Sequence, residues 1–185
     1  MDEGLKILIK ECQKNKRSAQ EKIYNRFSDR LFSVCLRYSK NYEDAQDIFQ
    51  DGFILIFSKV SQYQFKGSFE GWMRRIMVNL CIEKFRTTNY LYVVNEEITP
   101  DEDLAEDISE EKTQYSYEEL LGFVRQLPER YGQIFNMYVI DGYSHKQISE
   151  LLNISVGTSK SNLSRAREKL ANMISKNSTE NIASK

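Results

Sequence analysis

The chain has 185 residues, of which 41% are hydrophobic and 12% aromatic, so it can form one large or two small folded domains. It contains only 2 prolines and 8 glycines, and no window approaches the roughly 18 consecutive apolar residues that a membrane span needs, which favours an all-α protein without membrane insertion. The net charge of −1 argues at first against a nucleic-acid partner, because neutralised phosphates supply much of the affinity in such complexes.

The first residues are acidic instead of basic, which is not the pattern of a signal peptide. The three cysteines, Cys12, Cys35 and Cys81, are odd in number and widely spaced, which fits neither a disulfide framework nor a metal site. We therefore expect reduced thiols that fill apolar helix faces, a cytoplasmic location, and no metal or other cofactor.

The N-terminal half is predicted to contain a short opening helix near residues 4–13 and three longer amphipathic helices. Apolar residues recur every three or four positions over residues 18–39, then from the candidate N-cap Asn41 to Val60, and again over residues 68–86. The second long helix presents acidic and amide side chains in its first turns, and the third presents arginines and lysines. The third helix is expected to bury six apolar residues, Phe69, Trp72, Met73, Ile76, Leu80 and Phe85. We expect residues 1–87 to form a three- or four-helix domain with one acidic and one basic face.

A short loop, residues 61–68, connects the second and third long helices and contains Tyr63, Phe65 and Lys66. Bases of single-stranded nucleic acid stack on aromatic rings at about 1–3 kcal/mol each, while cations follow the backbone. Two interpretations stay open at this point: a single-strand binding loop, or aromatic rings that close the end of the helical bundle.

The middle of the chain is strongly acidic. Residues 96–111 contain nine acids and no lysine or arginine, which predicts an acidic flexible linker over residues 88–115. The rest of the chain then carries 26 basic and 18 acidic residues, a net charge of +8. The positive charge therefore belongs to the two flanking domains, and a nucleic-acid partner is no longer disfavoured.

The C-terminal domain, predicted over residues 116–175, contains the more specific pattern. Ser144 and Gln147 form a capping box, Asn153 can end a helix in the left-handed conformation, and Ser155 can cap the next helix. Two short helices that meet at a three-residue turn predict a helix-turn-helix in a four-helix domain.

The second helix of this motif is expected to bury Val156, Leu163, Ala166, Leu170 and Met173. Its outward face mixes hydroxyls with long cations, which suits the major groove of duplex DNA; these residues are Thr158, Lys160, Ser161, Ser164, Arg165 and Arg167. Residues 176–185 are polar and are predicted to be a disordered tail.

Four segments together resemble one family, the sigma factors of the extracytoplasmic-function type, which belong to the sigma-70 family of bacterial RNA polymerase. They are YEDAQDIFQDGFILIF, FEGWMRRIMVNL, LPERYGQIF and ISELLNISVGTSKSNLSRAREKL. The resemblance covers about residues 20–86 and 120–170. It implies an all-α chain in which a sigma region 2 domain and a sigma region 4 domain are joined by the acidic linker.

The resemblance also implies a function. The protein would bind core RNA polymerase through the clamp helices of the largest subunit and the flap, recognise the minus-thirty-five and minus-ten promoter elements, and assist DNA melting. It implies promoter DNA and an anti-sigma factor as partners, and no catalytic residues. As a hypothesis, the acidic linker would thread near the RNA exit path of the polymerase and mimic nucleic acid.

Each role falls on residues that match the family's motifs. Contacts to core polymerase are expected from Asp44, Asp47, Gln50 and Asp51. Contacts to the single-stranded minus-ten element are expected from Tyr63, Phe65, Lys66, Arg74, Arg75 and Asn79. Contacts to the minus-thirty-five element are expected from Thr158, Lys160, Ser161, Ser164 and Arg165.

Some positions depart from the family pattern, so the promoter sequence cannot be transferred from relatives. Ser159 stands where the family usually has an apolar residue, and Asn162 and Ser164 replace bulkier or charged ones. The single histidine, His145, has no second metal ligand nearby and is expected to contact a phosphate or solvent.

Three other classes of protein fit the sequence less well. A two-domain transcriptional regulator would share the helix-turn-helix but lack the acidic docking helix and the strand-binding loop. An enzyme is disfavoured because there is no glycine-rich phosphate loop, no usable Ser/His/Asp set and no metal cluster. An RNA-binding adaptor would fit the basic patches but not a groove-reading helix.

Overall fold

The computed structural model describes residues 2–89 and 115–183, and within these two ranges it contains helices and turns but no strand. The chain divides into two compact units, Met1–Val93 and Val94–Lys185. The predicted linker over residues 88–115 lies almost wholly outside the described residues, and so do the nine acids on which that prediction depends.

The first unit contains four α-helices that agree with the predicted ones to within three residues at each end. They are α1 (Glu3–Gln13), α2 (Arg17–Tyr38), α3 (Tyr42–Lys59) and α4 (Phe69–Asn89), and a 3-10 turn (Val60–Gln62) follows α3. Asn41 caps α3 as expected, since its Oδ1 accepts a hydrogen bond from the backbone N–H of Asp44 at 2.7 Å.

The core of the first unit lies where α2 contacts each of the other three helices. Its side chains include Ile23, Leu31, Ile56 and Met73, all at most 1% exposed. Helices α3 and α4 pack tightly at Gly52, where a Cβ atom would overlap the side chain of Met77. Glycine is therefore the residue that lets these two helices pack at this distance.

The buried face of α4 is rotated from the predicted one. Trp72, Ile76 and Leu80 were expected in the core but are only half-buried, whereas four other residues are buried: Met77, Val78, Cys81 and Ile82. The reason is that α4 packs against both α2 and α3, so its buried face extends around the helix to one side of Met73, and the half-buried residues lie on the other side. The side chain of Phe85, also predicted in the core, lies outside the described residues.

The second unit contains α5 (Tyr117–Arg125), α6 (Glu129–Phe135), a π-helical turn (Asn136–Ile140), α7 (His145–Leu152) and α8 (Val156–Ala183). Phe123 and Leu127 pack against Ala166 and Leu170 in one buried cluster. The predicted four-helix arrangement is confirmed, and the long α8 contacts α5, α6 and α7.

Capping residues define the helix ends of this unit. Ser144 and Gln147 form the expected capping box, and Asn153 has φ 53° and ψ 51° at the end of α7. Ser155 Oγ accepts a hydrogen bond from the N–H of Thr158 at 2.9 Å. A second capping box, Ser116 with Glu119, starts α5; the S-x-x-E spacing that signals it was present in the sequence but was overlooked.

Two predictions about α8 were wrong. Val156 was expected on the inner face but is 42% exposed, because it occupies the first position of the helix, before α8 contacts its neighbours. The helix also continues to Ala183 through most of the segment for which a disordered tail was predicted. No proline or glycine follows Gly157, so nothing in the chain interrupts the helix there.

Candidate nucleic-acid and partner interfaces

The start of α3 presents the four residues predicted to contact the polymerase. Asp47, Gln50 and Asp51 are exposed, and Asp44 is half-buried next to its cap. The Asp47 carboxylate lies 3.6 Å from the Lys84 ammonium of α4, with most of the Asp47 side chain exposed. This helix start is therefore an exposed acidic surface with one ion pair at its edge.

Aromatic rings border this acidic surface. Tyr42 contacts Phe32, Phe32 contacts Phe49, and Phe49 contacts Phe53, with ring centroids 5.4, 5.2 and 5.0 Å apart. Tyr24 of α2 packs on Phe53 at 4.7 Å. We call these five residues the aromatic seam. Because its two tyrosines are more than 40% exposed, the seam places apolar surface beside the carboxylates.

The loop of residues 61–68 is built around the ring of Tyr63, which is only 3% exposed. This ring lies 5.0 Å from Phe69, 5.3 Å from Phe65 and 5.6 Å from Trp72. Burial raises the pKa of Tyr63, which keeps its hydroxyl protonated, and the hydroxyl donates to the Gly67 carbonyl at 2.8 Å. In this conformation the Tyr63 ring closes the end of the bundle, while Phe65 is half-buried and Lys66 exposed.

Two residues of the loop have positive φ angles. Gly67 has φ 80°, which glycine adopts freely, and Phe65 has φ 60°, which is uncommon for a bulky side chain. Such a conformation costs about 1–3 kcal/mol and persists only where surrounding contacts determine it. The aromatic packing of Tyr63 supplies one such contact.

The start of α4 carries the three other residues predicted at the minus-ten element. Arg75 and Asn79 are exposed and lie one turn apart, on one face of the helix. Arg74 is half-buried, and its guanidinium lies 3.7 Å from the Glu70 carboxylate, which also pairs with Arg30 at 2.7 Å. The i, i+4 spacing of Glu70 and Arg74 could have revealed that pair, which sequence reasoning did not consider.

The outward face of α8 contains the residues predicted at the minus-thirty-five element. Lys160 and Ser164 are exposed, whereas Thr158, Ser161 and Arg165 are half-buried. The Thr158 hydroxyl lies 2.8 Å from that of Ser155, and the Ser161 hydroxyl donates to the Thr158 carbonyl at 3.2 Å. Local hydrogen bonds thus orient two of these hydroxyls along the helix.

His145, for which contact with a phosphate or solvent was expected, also packs against neighbouring side chains. Its ring is half-buried and stacks on Tyr138 with centroids 4.3 Å apart and planes 22° apart. Nδ1 lies 2.9 Å from the hydroxyl of Ser159, which is fully buried. The departure from the family pattern at Ser159 therefore has a physical reason: this serine is the partner of the histidine across the helix-turn-helix.

The environment of His145 disfavours its protonated form. Burial lowers the pKa of this imidazole below its ordinary value, and the positive charges of Lys160 and Arg167 lower it further. The neutral ring therefore predominates near pH 7, and its hydrogen bond with Ser159 is one between uncharged groups.

Among the described residues, no helix combines the length and apolar character that crossing a membrane requires. Nor do their histidine, cysteine, aspartate and glutamate side chains form a group of three or more that could hold a metal ion.

Comparison with protein families identifies both units. The family described as "Sigma-70 region 2" matches residues 23–90, and the one described as "Sigma-70, region 4" matches residues 117–170. The first match contains α3 and the loop of residues 61–68, and the second contains α5 to α7 and residues 156–170 of α8.

Individual proteins agree with these matches. The chain is 30% identical over 181 residues to the ECF RNA polymerase sigma factor SigW of Bacillus subtilis, covering 92% of this chain and 96% of that protein. It is 30% identical over 169 residues to the ECF RNA polymerase sigma factor SigE of Mycolicibacterium smegmatis, covering 89% of this chain and 65% of that one.

A solved structure shares the fold: the sigma factor RpoE of Bartonella quintana, crystallised with the anti-sigma factor NepR. It has a TM-score of 0.53 and 15% identity, and the match covers 84% of this chain and 96% of that one. The fold, the two sigma-70 regions in this order and the near full-length similarity to SigW lead to one conclusion. The chain belongs to the extracytoplasmic-function (ECF) family of RNA polymerase sigma factors.

Proposed function

We propose that this protein is an alternative sigma factor: it binds core RNA polymerase, recognises the minus-thirty-five and minus-ten elements of a promoter, and assists DNA melting. One observation carries the proposal, namely that a single chain combines an exposed acidic helix start, an aromatic and basic loop, and a helix-turn-helix with a cationic outer face. An ordinary regulator needs only the last of these. The protein would act in the cytoplasm with the polymerase and would itself catalyse no reaction.

Docking on core polymerase is assigned to the start of α3. Asp47, Gln50 and Asp51 offer exposed acceptors, and the aromatic seam beside them offers apolar surface. Carboxylates over apolar surface suit a basic partner such as the clamp helices of the largest subunit, because complementary charge directs association while buried rings supply affinity. The same surface suits an anti-sigma factor, which we include among the proposed partners.

Capture of the minus-ten element is assigned to the loop and the start of α4. Phe65 and Lys66 are the accessible ring and cation of the loop, and Arg75 and Asn79 lie on an exposed face of α4. Unstacking a base costs a few kcal/mol, which stacking and phosphate contacts can offset without nucleotide hydrolysis. The burial of Tyr63 supports a role for it in shaping the loop instead of stacking on a base directly.

Recognition of the minus-thirty-five element is assigned to the first half of α8. Lys160 and Arg165 can reach guanine edges or phosphates in the major groove, and Ser164 is small enough to approach the bases. The hydrogen bond between His145 and Ser159 holds α7 against this helix and so fixes the angle at which α8 is presented.

The test is transcription from a supercoiled promoter library with reconstituted holoenzyme. We expect start-site-specific transcripts, and their absence would favour an ordinary regulator. Arg165→Ala should weaken selectivity at the minus-thirty-five element and leave core binding intact, whereas Lys176→Ala, also on α8 but beyond the groove-facing part, should change neither. Loss of core binding in Arg165→Ala would mean that the two units have been assigned the wrong roles.

A further inference from the structure

The loop of residues 61–68 connects α3 and α4, but a side chain of α1 is hydrogen-bonded to the backbone at its start. Gln13 Nε2 donates to the carbonyl of Val60 at 3.0 Å and to the carbonyl of Tyr63 at 2.9 Å. Both bonds span about fifty residues of sequence, and both are partly buried. Both N–H groups of the Gln13 amide thus donate to backbone carbonyls, one at each end of the 3-10 turn where the loop begins.

These bonds restrict the backbone at the point that determines where the loop rings lie. The Tyr63 N–H already donates to the Val60 carbonyl at 3.1 Å, so Gln13 closes a small network around the 3-10 turn. Tyr63 then fixes the far end of the loop through the bond from its hydroxyl to Gly67. Phe65 lies between these two fixed points, with its φ of 60°.

The position of α1 in the chain makes this contact informative. The sigma-70 region 2 match begins at residue 23, so the whole of α1 lies before it. Ile9 and Cys12 anchor α1 in the core and are fully buried, which orients Gln13 toward the turn. A helix outside the matched region therefore contacts the loop to which strand capture is assigned.

We propose that Gln13 is a positioning residue for capture of the unpaired minus-ten strand: by holding the carbonyls of Val60 and Tyr63 it sets the location of Phe65 and Lys66 before DNA arrives. This inference rests on the proposed function. Preorganised contacts bind more tightly because ordering the loop does not then oppose binding.

The experiment measures binding of a fluorescent single-stranded minus-ten oligonucleotide by holoenzyme made with full-length protein. Gln13→Met keeps the length of the side chain but removes both donors, and we expect about five- to tenfold weaker binding, consistent with two lost hydrogen bonds of ordinary strength. Selectivity across the minus-ten bases should flatten, while core binding and minus-thirty-five selectivity stay unchanged. Gln20→Met, the same change on α2, is the matched control.

Gln13→Lys restores a donor at nearly the same reach and should recover part of the lost affinity and selectivity. Unchanged oligonucleotide binding and selectivity in Gln13→Met would overturn the proposal. So would a loss that accompanies a lower melting temperature and is not recovered by Gln13→Lys, because that pattern indicates a structural role only. If the unsubstituted holoenzyme also fails to bind the oligonucleotide, the proposed function itself is wrong, and the two failures are therefore distinguishable.

Discussion

The imidazole Nδ1 of His145 and the hydroxyl of Ser159 lie 2.9 Å apart, joining the first residue of α7 to the fully buried face of α8. This contact crosses the turn of the helix-turn-helix, so it couples the two helices independently of their apolar packing. The Tyr138 ring stacks on the same imidazole from the π-helical turn. One histidine of α7 therefore contacts both the π-helical turn that precedes it and α8 that follows it.

Ser159→Ala should destabilise the second unit by about 1 kcal/mol, because it leaves a partly buried ring nitrogen without its partner. His145→Phe keeps a ring against Tyr138 but removes the nitrogen. If the bond matters, the double variant should be less destabilised than the sum of the single ones by about 1 kcal/mol. Urea unfolding, together with amide exchange in α7 and α8, measures the stability of the two single variants and the double variant. Ser164→Ala, at an exposed position of α8, is the control. Strict additivity of the two single effects would contradict the prediction.

Acid should weaken the second unit through the same histidine. Its pKa is lowered in the folded protein, first by burial and then by Lys160 and Arg167, so below about pH 6.5 the unfolded chain binds more protons than the native one. The contribution of the neutral His145 ring to the stability of the second unit is therefore complete above that pH, and it is lost as the pH falls toward the lowered pKa.

His145 is the only histidine in the chain, so an NMR titration of its ring reports this group alone. We expect a midpoint below the ordinary value of about 6.5 and a shift back toward it in urea. His145→Asn, which does not titrate, should remove the component of acid destabilisation between neutral pH and the native pKa. A midpoint at or above the ordinary value would contradict the prediction.

Gly52→Ala should destabilise the first unit by about 1–2 kcal/mol, because the added methyl group overlaps Met77, whose side chain is fully buried. The Met77 sulfur also contacts Cys35 Sγ at 3.9 Å, which limits how far Met77 can move. Gly71→Ala on α4 is the control, since its Cβ would lie 3.6 Å from the nearest atom and should gain helix propensity. Chemical denaturation, monitored by Trp72 fluorescence, measures the stability of both variants. Equal destabilisation by the two changes would exclude this explanation.

Asp47→Lys should weaken binding to core polymerase about tenfold at low salt, because it reverses an exposed charge of the acidic surface and breaks the ion pair with Lys84. The difference from the unsubstituted protein should shrink as salt rises. Glu21→Lys, an exposed reversal on α2, controls for net charge. Competition for labelled core polymerase measures both, and equal weakening by the two variants would mean that only net charge matters.

Sequence reasoning predicted the helices well because their ends are marked by local chemistry. Asn41, Ser144 and Ser155 each cap a helix at the position expected, and Asn153 takes the left-handed conformation expected of it. These interactions extend over three or four residues, so they can be recognised without knowledge of the fold. The same holds for the four segments that identified the family.

The features that could not be predicted depend on contacts between distant residues. Nothing near Gln13 indicates that its amide reaches carbonyls about fifty residues away, and nothing near Ser159 reveals that His145 faces it. The side of α4 that becomes buried depends on how α2 and α3 approach it, which the periodicity of one helix does not determine. Tyr63 is the same kind of case, since both interpretations of the loop fit the sequence.

All three cysteines are buried and none forms a disulfide, and burial raises the pKa of Cys12 to about 11. The thiolate is the reactive form, so the native protein should react slowly with alkylating reagents and thiol oxidants. A cysteine introduced at an exposed position, such as Gln46 on α3 or Lys176 on α8, would then accept a fluorophore with little background. Polymerase docking and promoter engagement could thus be recorded separately on the same chain without first removing its natural thiols.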